Sequence, residues 1–227
     1  MDLVRIKQLT VEYLGKELKY KALKNIDLSI PKGKIVSIVG ESGSGKSTLA
    51  LSIARLIEMH PVNWNGEIWF NGKNVKHFSQ EELLNLRRCD VSYVFQDPAS
   101  SFNPVFTIQS QLMESYKKVS LQHVETLMQK VFLSDTHRIL KSYPHELSGG
   151  MLQRLMIVMA ILKNPKLLIA DEPTTALDAT VQKEILKILI QLKEQLDLTL
   201  IFVTHDLYLA KQIADKLIVL KEGVVVE

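Results

Sequence analysis

An α/β fold built on a mainly parallel sheet, covered on both faces, is what this 227-residue sequence predicts. Three observations carry the prediction. Continuous apolar runs of buried-strand type recur along the chain: "KIVSIV" (34–39), "KLLIAD" (166–171) and "LTLIFVT" (198–204). Between the last two lies an amphipathic helical stretch, with Val181, Ile185, Ile188, Leu189, Leu192 and Leu196 on one stripe. Buried strands that alternate with helices belong to parallel sheets, because each crossover lays a helix over a sheet face.

The elements follow in order. The first 75 residues read mostly as short strands joined by turns: "LVRIKQLTVEY", "ALKNIDLSI" and "EIWF", the last closed by the turn pair Asn71-Gly72. Inside this block "KIVSIV" runs directly into glycines and a helical pattern. From about Ser79 to Leu147 the chain turns helical and more polar, and "SQEELLNLRR" opens on a Ser N-cap with an acidic first turn. The tail "KLIVLKEGVVVE" reads as a hairpin that stops abruptly, as a C-terminally shortened chain would. The result is a core in two sequence pieces with a helical insertion between them.

Composition narrows the class. Hydrophobic residues make up 46% and charged residues 23%, ordinary values for a globular protein. A net charge of +3 is too weak a bias to argue for nucleic acid. One cysteine, Cys89, excludes an internal disulfide and a cysteine-only metal site. The start, "MDLVRIKQLT", lacks the apolar core of a signal peptide. "LMIVMAIL" (155–162), the longest apolar run, falls far short of the ~20 residues that span a bilayer. The expectation is a cytosolic chain, or one held to a membrane by a partner.

"GESGSGKST" (40–48) matches G-x-x-x-x-G-K-[ST]. In that pattern Gly40, Glu41, Ser42, Gly43, Ser44 and Gly45 wrap a loop whose N–H groups face phosphate oxygens. Lys46 then neutralises β- and γ-phosphate charge, and the Ser47 hydroxyl ligates Mg²⁺. A buried-type strand before the loop and a helix after it give the pattern its expected setting.

"LLIADEP" (167–173) delivers Asp171-Glu172 at the end of a buried strand, the edge where α/β sheets bind ligands. Asp171 is read as the Mg²⁺-holding carboxylate and Glu172 as the group polarising the attacking water. "IFVTHD" (201–206) places His205 at an equivalent strand end, in reach of the γ-phosphate and Glu172. Gln96 in "VFQDP" follows a β-rich stretch, and its amide is read as reaching Mg²⁺ or the attacking water.

"GESGSGKST", "FQDP", "LSGGMLQ", "LLIADEP", "ALD" and "VTHD", in this order, resemble the ATPase subunit of an ATP-binding-cassette (ABC) transporter over essentially the whole chain. The resemblance implies a P-loop NTPase (RecA-like) core with an N-terminal antiparallel β subdomain and an inserted helical subdomain. It implies one domain over 1–227: 1–98 and 155–227 as catalytic core with the β subdomain, 99–154 as the helical signature subdomain. "LSGG" is then the signature loop, where Ser148, Gly149 and Gly150 meet ATP held by a second subunit. A helix start bared by two glycines suits an anion. Met151 stands where the family usually has Gln. Asp178 resembles the loop aspartate that communicates between the two sites. Thr48 is placed near the α-phosphate, and Tyr13 resembles the aromatic that stacks on adenine, with Tyr20 as the alternative.

"FQDPASSFNPVFT", "YPHELSGGMLQR" and "IADEPTTALDATVQ" resemble the oligopeptide, dipeptide and nickel importer branch. The implied cofactors are ATP and Mg²⁺. The implied partners are a second ATPase subunit (a copy or a paralogue), two transmembrane permease subunits and, indirectly, an extracytoplasmic substrate-binding protein, with no nucleic acid. The implied place is the cytoplasmic face of the membrane. A groove near Gln96, including residues 97–107, would meet the permease. A non-transport cassette acting on ribosomes or DNA is the competing reading. It would need two cassettes or a long coiled coil, and no sustained heptads occur between Gly45 and Ser148.

Overall fold

The computed structural model describes residues 1–15, 19–116, 119–175 and 177–227. Strands β1 (Asp2–Leu14), β2 (Lys19–Pro31), β4 (Val62–Phe70) and β5 (Lys73–Asn74) form an antiparallel sheet in the order β2-β1-β4-β5. A second sheet contains β3 (Ile35–Val39), β6 (Val91–Val94), β7 (Leu167–Asp171), β8 (Thr199–Thr204), β9 (Lys216–Lys221) and β10 (Val224–Val225). Its order is β10-β9-β3-β8-β7-β6, parallel throughout except for the antiparallel edge strand β10. This is the expected fold class.

Several elements differ from their sequence outlines. β1 and β2 are 13 residues each rather than short. A register shift between Lys7 and Thr10, at the left-handed Gln8 (φ +49°), lets one strand keep Ile6 and Leu9 both inward. The helix expected over "SQEELLNLRR" stops at Asn85 (α2, Gln80–Asn85) after the Ser79–Glu82 capping box, and a wider turn over Leu86–Asp90 leads into β6. β6 thus lies inside the stretch that reads as helical.

The remaining helices are α1 (Lys46–Ile53), α3 (Ile108–Ser115), α4 (Leu121–Lys130), α5 (Thr136–Lys141), α6 (Gly149–Ile161), α7 (Ala179–Leu196) and α8 (Leu207–Ile213). Helix α6 crosses the 154/155 boundary drawn from the sequence, because its apolar residues continue without a breaker. On the α7 stripe Ile185, Ile188, Leu189 and Leu192 are buried, while Val181 and Leu196 pack half-buried at its ends.

Strand alternation divides the core in two. Leu168, Ala170, Leu200 and Phe202 join α6, α7 and the α3–α5 segment on one face. Ile38, Leu167, Ile169, Ile201 and Val203 join α1 and the antiparallel sheet on the other. Burying both faces leaves only the strand ends open for chemistry.

Candidate active site

The parallel register fixes where the functional residues emerge. Val39 pairs with Thr204, Asp171 with Val203, and Val94 with Ala170. Gly40, His205, Glu172 and Gln96 therefore leave four neighbouring strands at one edge of the sheet. Four sequence segments become one site.

The loop after β3 is tightly held. A Cβ on Gly40 would lie 2.2 Å from the Leu220 carbonyl oxygen, and one on Gly45 (φ +103°) would lie 2.6 Å from that of Ala22. Only glycine fits either place. Lys46, 5% exposed, donates to the Gly40 and Glu41 carbonyls at 2.9 Å each and lies 3.9 Å from Glu172 Oε1. Its ammonium is thus poised inside the loop at the start of α1.

Asp171 is buried at the end of β7. Tyr93 donates a 2.7 Å hydrogen bond to its Oδ2, and Oδ1 is buried without a protein partner. Burial pushes the Asp171 carboxyl above its usual range, opposed by the hydrogen bond from Tyr93, by the Ser47 hydroxyl and, last, by the Lys46 charge. Burial and the facing carboxylate push the Tyr93 phenol far up, so it stays a donor.

Glu172 adopts φ +46°, left-handed backbone that a non-glycine residue holds only under constraint. Its N–H is anchored to the Val203 carbonyl at 2.9 Å. Its Oε2 gathers Thr175 Oγ1 at 2.8 Å, His205 Nδ1 at 3.3 Å and Gln96 Nε2 at 3.4 Å. The three expected catalytic side chains therefore meet at one carboxylate oxygen.

A cleft of about 320 Å³ opens over the loop, lined by Lys46, Ser47, Thr48, Gln96 and Glu172, and by both Tyr13 and Tyr20. The Tyr13 hydroxyl lies 3.2 Å from Thr48 Oγ1, and the Tyr20 hydroxyl donates to the Gly43 carbonyl at 3.4 Å.

Ser148, Gly149, Gly150 and Asp178 do not line this cleft. Ser148 caps α6 by accepting from Met151 N at 3.3 Å. Ser148 and Gly149 are exposed, and a Cβ on Gly149 would meet open space. At Gly150 a Cβ would press on Val181 Cγ1 at 3.1 Å. Asp178 caps α7, accepting from Thr180 N and Val181 N.

Tyr93 and Thr175 are site residues that sequence reasoning missed. Thr175, in "DEPTTALD", sits three residues past Glu172 in the turn closed by its N–H on the Glu172 carbonyl, and was legible as a neighbour. Tyr93 was not, since it falls in a stretch that reads as helical and polar, where a lone tyrosine signals nothing.

With this geometry in place, comparison with known proteins is direct. The ABC transporter family profile matches residues 23–175. The chain belongs to the ABC transporter family, and it is an ATPase of the cassette type. It is 41% identical to the dipeptide transport ATP-binding protein DppD of Escherichia coli (strain K12), with all of this chain and 72% of that protein covered. It is 38% identical to the oligopeptide transport ATP-binding protein OppD of Bacillus subtilis (strain 168), covering 99% of this chain and 65% of that one. Among solved structures, the ATP-binding cassette MJ0796, a dimer in a post-hydrolysis state bound to ADP and Pi, superposes with a TM-score of 0.85. That match has 31% identity and covers 99% of this chain and 97% of MJ0796.

Proposed function

We propose that this chain is the ATP-hydrolysing subunit of an importer for a small substrate, an oligopeptide, a dipeptide or a chelated nickel ion. The observation that carries the reading is the convergence of Gln96, Thr175 and His205 on Glu172 Oε2, beside Lys46. Structural loops do not gather a strained carboxylate and three polar partners at a sheet's ligand edge. The names of the DppD and OppD relatives support the cargo class.

ATP occupies the cleft with its phosphates in the loop of residues 40–46. Lys46 moves its ammonium from the Gly40 and Glu41 carbonyls onto the phosphates, and Thr48 stands by the α-phosphate. Tyr13 or Tyr20 receives the adenine. The residues also fit a divalent cation, because the buried, unpartnered Oδ1 of Asp171 is an orphan acceptor. Asp171, Ser47 and Gln96 would hold Mg²⁺, which would neutralise phosphate charge. Glu172 orients and polarises the attacking water, and His205 holds Glu172 and the γ-phosphate in line.

Ser148 and the N–H groups of Gly149 and Gly150 bind the γ-phosphate of the ATP held by a second ATPase subunit, copy or paralogue. Asp178 links the two sites at that interface. ATP then joins the halves, and hydrolysis releases them. The domain spans 1–227, with 99–154 as its helical signature part.

Among the described residues no helix is long and apolar enough to cross a membrane. Two permease subunits supply the pathway and hold the chain at the cytoplasmic face. An extracytoplasmic binding protein delivers cargo to them. A groove of about 580 Å³ lined by Arg87, Phe95, Ser100, Ser101, Met156 and Met159 offers the docking surface. The test is co-purification with the permease genes' products and ATPase assay with peptides and with chelated nickel. Stimulation by one class identifies the cargo. No stimulation by either overturns the cargo reading.

A further inference from the structure

The hairpin β9–β10 packs against the phosphate loop. The Gly223 N–H donates to the Ser44 carbonyl at 3.0 Å, and the Gly223 carbonyl accepts from Lys24 N at 2.7 Å. Three residues earlier in the hairpin, the Leu220 carbonyl abuts Gly40. Glycine is required at the turn: Gly223 has φ +80°, and a Cβ there would lie 2.6 Å from the Ala22 carbonyl oxygen. A Cβ on Gly45 would likewise lie 2.6 Å from that oxygen. The Ala22 carbonyl is thus wedged between the loop and the hairpin turn.

Peptide planarity gives this contact a consequence for ligand binding. The carbonyl of Ser44 and the N–H of Gly45 belong to one rigid trans peptide and point in opposite directions. A hydrogen bond that holds the Ser44 carbonyl toward the hairpin therefore aims the Gly45 N–H away from the hairpin. We infer that Gly223 is a positioning residue for nucleotide binding: its N–H sets the 44–45 peptide so that the Gly45 N–H faces the phosphates. The inference rests on the ATP-binding reading of this loop. It assigns the far end of the chain a part in the phosphate site that no loop residue performs.

Gly72 supplies the control, with φ +79° in the turn between β4 and β5 and open space where its Cβ would stand. Alanine at 72 carries the same backbone strain as alanine at 223 but pushes on nothing. The experiment measures equilibrium binding of ATP and ADP to the full chain for wild type, Gly223→Ala and Gly72→Ala, with thermal melts of each. Gly223→Ala is expected to weaken both nucleotides roughly tenfold, the scale of one anion-binding amide lost. In the assembled transporter it should raise KM for ATP by a similar factor with little change in kcat. Gly72→Ala should bind as wild type does. If Gly223→Ala lacks a cooperative melt, Gly223→Asn takes its place, since Asn tolerates left-handed φ and keeps the steric push. Wild-type affinity in the 223 variant, or equal weakening in both, overturns the positioning role while leaving the ATP-binding reading intact. Failure of the wild type to bind ATP overturns that reading itself.

Discussion

The Tyr93 phenol holds Asp171 by one oxygen, with a 2.7 Å hydrogen bond to Oδ2, and leaves Oδ1 without a protein partner. The same tyrosine stacks its ring against Phe95, centroids 4.6 Å apart, at the wall of the groove proposed for the permease. Tyr93→Phe keeps the ring and removes the donor. It should cost about 1–3 kcal/mol in urea unfolding, the price of an unpaired buried acceptor. The Mg²⁺ needed to half-saturate nucleotide binding should rise several-fold, while Mg²⁺-free binding stays unchanged. Unaltered Mg²⁺ dependence would show that Tyr93 is packing alone.

Asp171 also sets a pH dependence. Burial raises its native carboxyl above the unfolded value, so the native state binds more protons there than the unfolded chain does. Its contribution to stability therefore falls as pH rises from the unfolded carboxylate value through the raised native one. Asp171→Asn removes the buried charge. The nucleotide-free variant should melt up to a few degrees higher than wild type at neutral pH, and the gap should shrink as pH drops through that window. A lower melting temperature at neutral pH would contradict the assignment of burial as the dominant cause.

The parallel core was legible in the sequence because buried strands declare themselves as unbroken apolar runs. "KIVSIV", "KLLIAD" and "LTLIFVT" became β3, β7 and β8 within a residue or two. The candidate residues that the fold gathers at one sheet edge were legible because glycines, paired acids and a strand-end histidine are unusual at such spots. What was hidden depends on the third dimension. β6 is only four residues long and lies in a polar setting, so its pairing with β7 shows only in the fold. The short α8 lacks enough turns for a clear stripe. The left-handed Glu172 and the wedge of Gly45 and Gly223 on Ala22 arise from backbone approach, which no spacing pattern records.

Asp178 carries a structural task that must be separated from any signalling one. It caps α7 through two backbone N–H groups, each 3.0 Å from Oδ1. Asp178→Ala should destabilise the chain by about 1 kcal/mol in chemical denaturation, and Asp178→Asn should restore most of it. Communication between sites shows as a loss of turnover in the assembled complex that Asn does not restore.

Ser148 is exposed at the bare start of α6 and outside the cleft of its own chain. Ser148→Glu places a carboxylate where a second chain's phosphate is expected. Turnover of the assembled complex should fall at least a hundredfold, and ATP binding to the isolated chain should stay within about twofold. Equal loss of both would mean that the substitution acts within one subunit.

The account turns on a phosphate shared between two chains. Its most direct test is the structure of Glu172→Gln loaded with Mg-ATP, a variant in which hydrolysis should be nearly abolished and the closed state trapped. The expected result is a dimer with Ser148 Oγ and the Gly149–Gly150 amides of one chain within hydrogen-bonding distance of the γ-phosphate held by Lys46 of the other. A γ-phosphate enclosed by one chain alone, with Gly149 and Gly150 facing solvent, would contradict it.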